Sequence, residues 1–165
     1  MNIEWQTVAE QLRREIAEYG QLLGLFEEQH RLIFRHAPHS VLDASRRIET
    51  QVHALERERG RREEAVAAFA ARCGRPASAT LRSLLTCVDP EARPLLQALI
   101  TEINLLIHRV RRDSRRNHQL LHCVVDCHQE LLRRLRPDAF TKTYAPDGRV
   151  SVAAVRPHTA VHAGG

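Results

Sequence analysis

The stretch NHQLLHCVVDCH, residues 117–128, contains three histidines and two cysteines, which are the side chains that most often bind zinc. On an α-helix, His118 and His122 lie about 40° apart, and Cys123 and Cys127 form a second pair with the same spacing. The two pairs are centred about 140° apart around the helix, so these four side chains do not converge on one tetrahedral ion. A zinc site would need ligands from another helix. We therefore interpret the segment as a helix face and expect no metal site and no cofactor.

The strongest basic run is HRVRRDSRR, residues 108–116, which contains five arginines. Arginines on one accessible face can neutralise phosphates. This run wraps around a helix, however, and no aromatic side chains are interleaved with it for stacking on bases. We interpret it as a solvated helix surface, and nucleic-acid binding stays an alternative.

The sequence contains no arrangement typical of catalysis. A Gly-rich phosphate loop, a nucleophile elbow and paired carboxylates with a nearby histidine are all missing. We predict that the chain is not an enzyme, has no catalytic residues and takes no small-molecule substrate.

The composition favours aliphatic helix packing, because 43% of the 165 residues are hydrophobic and only 4% are aromatic. No segment approaches about 18 consecutive apolar residues, and the N-terminus does not resemble a signal peptide. We expect a cytoplasmic protein that does not insert into membranes. In that compartment, the four cysteines are not expected to form a disulfide framework. The net charge of +5 permits an anionic partner without requiring one.

Proline positions and heptads predict the helices. Residues 1–37, 39–75 and 95–136 contain no proline, and a proline inside a helix costs roughly 3 kcal/mol. The first stretch carries a coiled-coil seam with a 4, 3, 4, 3 spacing. Its members are Trp5, Ala9, Leu12, Ile16, Tyr19, Leu23, Phe26, His30 and Ile33. The segment HAPHS ends this helix, and Ser40 is a candidate N-cap for the next one.

The later helices interrupt their seams with polar side chains. In helix 2 the charged positions are Arg59 and Arg62, so this helix either projects beyond its partners or forms a polar layer. A short helix follows within residues 78–88. The last helix is predicted to run to about Leu135, with Asp113 and Asn117 in its seam, where buried polar residues can set register.

We therefore predict an all-α fold, an elongated antiparallel helical bundle with coiled-coil character. It consists of a long helix 1, a long helix 2, a short helix 3 and a very long helix 4. The bundle domain spans residues 1–136. Residues 137–165 are predicted to contain a turn at TYAPDG and a mostly disordered tail.

The segment ATLRSLLTCVDPEARPLLQALITEINLLIHRVRRDSRRNHQLLHCVVDCHQELLRRL, followed by TKTYAPDGRV, resembles FlgN-type flagellar export chaperones. The shared features are a short Leu-rich helix, a turn with an acidic residue before proline, a last helix with an Asn-x-x-Leu-Leu pattern, and a tyrosine followed by a turn and a glycine. The family pattern often has two asparagines three residues apart, and here Ser114 occupies the first place and Asn117 the second.

This resemblance implies a cytoplasmic chaperone that binds the C-terminal amphipathic helices of hook–filament junction proteins before type III export. It also implies docking on the flagellar export gate, for which Tyr144 is a candidate. We hypothesise a client-binding surface on the last helix, and exposed apolar stripes there also favour homo-oligomers. Its residues are Asn117, Leu120, Leu121, Val124, Val125, Leu131 and Leu132. The alternatives are a basic coiled-coil scaffold, a nucleic-acid-binding helical protein and a purely structural coiled coil.

Overall fold

Helices form most of the chain that the computed structural model describes, which comprises residues 3–135, 140–144 and 150–154. The elements in chain order are α1 (Ile3–Phe34), α2 (Pro38–Arg72), α3 (Leu81–Leu84), a 3-10 turn (Leu85–Cys87), α4 (Arg93–Leu135), β1 (Phe140–Tyr144) and β2 (Val150–Ala154). The predicted all-α helical bundle, with two long helices, a short one and a very long one, is confirmed.

The chain divides into two compact units, residues 1–118 and 119–165. The division falls inside the continuous helix α4, so it does not decide where a domain boundary lies. The proposed domains 1–136 and 137–165 therefore stay a prediction. In the described part of the chain, no helix is long and apolar enough to cross a membrane.

The connection between α1 and α2 depends on backbone geometry rather than on a side-chain cap. His36 has a positive φ of 52°. The amides of His36 and Ala37 donate to the carbonyls of Ile33 and Leu32, at 3.2 and 3.4 Å, which is the Schellman arrangement for ending a helix. Helix α2 then begins at Pro38 without a side-chain cap, since proline has no amide hydrogen to satisfy and its φ already suits a helix. The prediction of Ser40 as N-cap is wrong.

The core of residues 1–118 follows the seam predicted for α1. Leu12, Tyr19, Phe26 and Ile33 are each at most 7% exposed, which confirms the heptad spacing. Helices α2, α3 and α4 cover this seam with aliphatic side chains and one aromatic ring. The buried members are Val66, Phe69, Leu84, Val88, Leu96, Ile103 and Leu106.

Polar contacts between the helices indicate their directions. Gln51 of α2 donates to Glu18 of α1, and Gln29 of α1 donates to Ser45 of α2, so α2 runs antiparallel to α1. On α4, Arg111 lies close enough to the Tyr19 side chain to interact with it electrostatically. Further along α4, Asn117 donates to the Phe26 carbonyl, so α4 runs in the same direction as α1.

A buried ion pair connects α1 and α2 in the middle of this core. The Nε atom of Arg62 lies 2.6 Å from Oε2 of Glu15, whose side chain is 1% exposed. The two groups are not aligned as a hydrogen bond, so attraction between the charges is the main component. Burial raises the pKa of Glu15 above its ordinary value, and Arg62 opposes that rise. Arg62, one of the charged seam positions of helix 2, therefore forms a polar layer with Glu15 rather than projecting beyond the other helices.

The two strands were not predicted from the sequence. β1 and β2 pair antiparallel, from Phe140 opposite Ala154 to Tyr144 opposite Val150. β-branched Thr141, Thr143, Val150 and Val152 occupy alternate positions in them, a pattern that favours strands. The predicted turn at TYAPDG falls mostly on residues 145–149, which lie outside the described residues.

Candidate partner-binding surface

The polar seam residue Asn117 is buried, 3% exposed, in the unit formed by residues 1–118. Its Nδ2 donates to the Phe26 carbonyl at 2.7 Å and to Oε1 of Gln29 at 3.0 Å. Its Oδ1 lies 3.1 Å from Nδ1 of His30. Both donor hydrogens and the acceptor of the amide are therefore engaged by helix α1, as a buried polar side chain requires.

The neighbours of Asn117 settle the direction of each hydrogen bond in this network. Arg116 has no acceptor, so the 2.8 Å contact between its Nη2 and Nε2 of His30 makes Nε2 the acceptor. The ring hydrogen is then on Nδ1 and is donated to Asn117. Gln29 donates in turn to Ser45, which donates to the Val41 carbonyl. One chain of hydrogen bonds, from Asn117 through Gln29 and Ser45 to the Val41 carbonyl, thus links α4, α1 and α2.

Replacing Asn117 with leucine is expected to destabilise the bundle by about 2 kcal/mol. Leucine has the same branched shape although it is larger, and it leaves the Nδ1 hydrogen of His30 and Oε1 of Gln29 without partners. Each buried polar group that is left without a hydrogen-bond partner costs about 1–3 kcal/mol, and burial of the apolar leucine side chain offsets part of this cost. Urea unfolding followed by circular dichroism measures the difference, and Ser114→Ala on the same helix is the control. A loss below about 0.5 kcal/mol, typical of surface sites, would contradict the role assigned to the network.

The six other residues hypothesised for client binding belong to the second unit, on residues 119–135 of α4. Leu120, Leu121 and Val124 are partly buried. Val125, Leu131 and Leu132 are 50%, 55% and 47% exposed. At 100° per residue, the six side chains lie within about 140° of the helix circumference. They form a single face, which we call the α4 stripe.

Sequence reasoning missed two residues of the same face. Leu135 is 68% exposed and follows Leu131 by four positions, a spacing that places it on the α4 stripe. His128 lies near the centre of the stripe, and its Nδ1 donates to the Val124 carbonyl at 2.8 Å. The opposite side of this segment is charged, with Glu130 bonded to Arg133 and Arg134. The helix is therefore amphipathic to its end, and its apolar side is largely open to solvent.

The histidines and cysteines of residues 117–128 do not assemble a ligand set. Among the described residues, no three His, Cys, Asp or Glu side chains converge in a way that would hold a metal ion. Cys123 and Cys127 are free thiols. Electrostatic repulsion from nearby Cys123 raises the pKa of the Cys127 thiol, so the two sulfurs interact with each other. All twelve residues of this segment belong to α4.

The family comparison covers both the bundle and the α4 stripe. The family model described as "FlgN protein" matches residues 1–151 of the 165. The chain belongs to the FlgN family. FlgN proteins are flagellar export chaperones that bind flagellar proteins, and they are not an enzyme family. Neither the comparison with curated proteins nor that with solved structures finds a match.

Proposed function

We propose that this FlgN protein acts in the cytoplasm and binds the C-terminal amphipathic helices of hook–filament junction proteins before their export. The observation that carries this proposal is the α4 stripe, whose members Val125, Leu131, Leu132 and Leu135 are 47–68% exposed. An amphipathic client helix has a complementary apolar face, and helix pairing buries both faces without a nucleotide or a metal. A client that would otherwise self-associate is kept monomeric in this way.

The shape of the stripe supports a helical client over an extended one. Its members recur at spacings of three and four residues along α4, which matches the anchors of a second helix lying alongside. Four aliphatic side chains that are about half exposed offer roughly 1 kcal/mol each when a client buries the remainder, about half of the gain for a fully exposed side chain. Ordering a client segment costs part of this energy, so we expect reversible binding in the micromolar range.

Within this proposal, Asn117 acts as a positioning residue. It connects α4 to α1 before the stripe begins, and both of its amide hydrogens are already donated to groups of α1. Tyr144 stays the residue that we propose for docking on the export gate. It is the last residue of β1.

Fluorescence anisotropy tests the proposal with a labelled C-terminal helix from the hook–filament junction protein of the same organism. We expect saturable binding with a Kd of about 10 μM or tighter and weak dependence on salt. A DNA duplex of similar mass is the control. Absence of helix binding, combined with duplex binding that falls steeply with salt, would replace the chaperone proposal with the nucleic-acid alternative.

A further inference from the structure

An open cleft of about 340 Å³ lies between α1 and α4 within residues 1–118. Its wall includes four arginines, one from α1 and three from the basic run of α4: Arg31, Arg109, Arg112 and Arg116. The other two arginines of that run, Arg111 and Arg115, do not line it. All five arginines of the run are exposed, and the fold divides them into three that line the cleft and two that do not.

The arginines of the cleft differ in the partners they already have. Arg112 donates to Asp113 at 3.0 Å, and Arg116 donates to His30. Arg31 and Arg109 form no ion pair with any described residue, and both side chains are exposed. These two guanidinium groups therefore have all their donors available to an incoming anion.

The floor of the cleft is preorganised. Phe26 and Asn117 are buried there, at 7% and 3% exposed. The hydrogen bonds from Arg116 to His30 and from His30 to Asn117 hold this floor in place. A ligand would therefore meet a rigid apolar and amide floor below a flexible cationic rim, and it would not have to order the floor on binding.

The charges of the lining discriminate between classes of anion. Glu27 and Asp113 also face the cleft, so the four arginines leave a net charge of +2. Two carboxylates in the wall repel a densely charged phosphate backbone, whereas a peptide offers isolated carboxylates between neutral groups. The forked guanidinium groups match the geometry of a carboxylate. A volume of about 340 Å³ accommodates one or two side chains rather than a duplex.

We propose that this cleft binds an acidic peptide segment of a protein partner, with Asp or Glu carboxylates of the segment bound by Arg31 and Arg109. The site is separate from the α4 stripe in the residues it uses and in the chemistry it recognises. It therefore goes beyond the proposed binding of apolar client helices, and the two proposals can fail independently.

A pair of matched double variants of the full chain tests the proposal. The probe is a 12-residue peptide of alternating Glu and Ala with an uncharged fluorescent label, compared with its Gln–Ala counterpart. We expect the acidic peptide alone to bind. Arg31→Gln with Arg109→Gln should weaken binding roughly 10–100-fold, since the charge-assisted hydrogen bonds to the peptide carboxylates are lost. Arg111→Gln with Arg115→Gln removes the same charge outside the cleft and should change affinity less than about twofold.

Three outcomes would overturn the proposal. The first is no binding of the acidic peptide by the wild-type chain. The second is an equal loss of affinity in both double variants, which would indicate attraction to net charge alone. The third is inorganic phosphate or a DNA duplex binding more tightly than the peptide in a manner that depends on Arg31 and Arg109, which would assign the cleft to phosphate groups. Matching circular dichroism spectra of the variants ensure that folded proteins are compared.

Discussion

Val125→Asp combined with Leu132→Asp is expected to abolish binding of the client helix while leaving the helical circular dichroism spectrum intact. Both side chains are about half exposed, so a carboxylate in their place stays hydrated in the free protein. In the complex, the same positions would be covered by the apolar face of the client. Losing two apolar contacts and desolvating two carboxylates removes at least about 3 kcal/mol of binding energy, which is more than 100-fold in affinity.

The matched control places the same charges on the other side of the same helical segment. Gln119→Asp with Gln129→Asp changes two exposed positions that lie outside the 140° arc of the α4 stripe. This variant should bind the client within about threefold of wild type, because exposed charges away from an interface contribute little. Unchanged affinity of the Val125 and Leu132 variant, measured by the same anisotropy titration, would refute the placement of the client on the α4 stripe.

The parts of the fold that depend on periodicity could be predicted from the sequence. The spacing of Leu12, Tyr19, Phe26 and Ile33 defines a seam, and all four side chains are buried. The α4 stripe follows from the same rule, since side chains three and four residues apart share a helix face. A heptad pattern reports only which face is apolar. It does not identify the helix that covers that face, so the arrangement of α2 and α4 around α1 needed the structure.

Contacts between distant residues were beyond sequence reasoning. Asn117 was recognisable as a polar residue in a seam, but its partners Phe26 and Gln29 lie about ninety positions away. The cleft was unpredictable for the same reason, because its wall combines Arg31 of α1 with Arg109 of α4. The strands were missed because five-residue segments carry little periodic signal, and the Thr and Val residues that favour them were read as part of a tail.

Arg62→Met is expected to destabilise the protein by about 3 kcal/mol at pH 7. The substitution keeps the aliphatic stem but leaves Glu15, 1% exposed, without the cation 2.6 Å away. Removing one partner of a buried pair typically costs about 3–5 kcal/mol, and Arg59 provides only a weaker electrostatic contribution at this site. Arg57→Met, at an exposed position of the same helix, removes an equal charge and should change the unfolding free energy by less than about 0.5 kcal/mol.

The pH dependence of unfolding shows whether Arg62→Met destabilises the protein by leaving a buried charge or by removing packing contacts. The pKa of Glu15 is already raised above 4.5 by burial, and the attraction of Arg62 opposes the rise. Without Arg62 it rises further, so the folded variant holds a proton at pH values where the unfolded chain has released it. A carboxyl with a raised folded pKa makes folding more favourable as the pH falls through that window. The stability that Arg62→Met loses relative to wild type should therefore shrink between pH 7 and pH 5, as urea unfolding at each pH measures.

Adding Glu15→Gln to Arg62→Met should recover most of the lost stability at pH 7, since no charge is then buried. A deficit that is constant with pH, or that Glu15→Gln deepens, would mean that Arg62 acts through packing rather than through its charge.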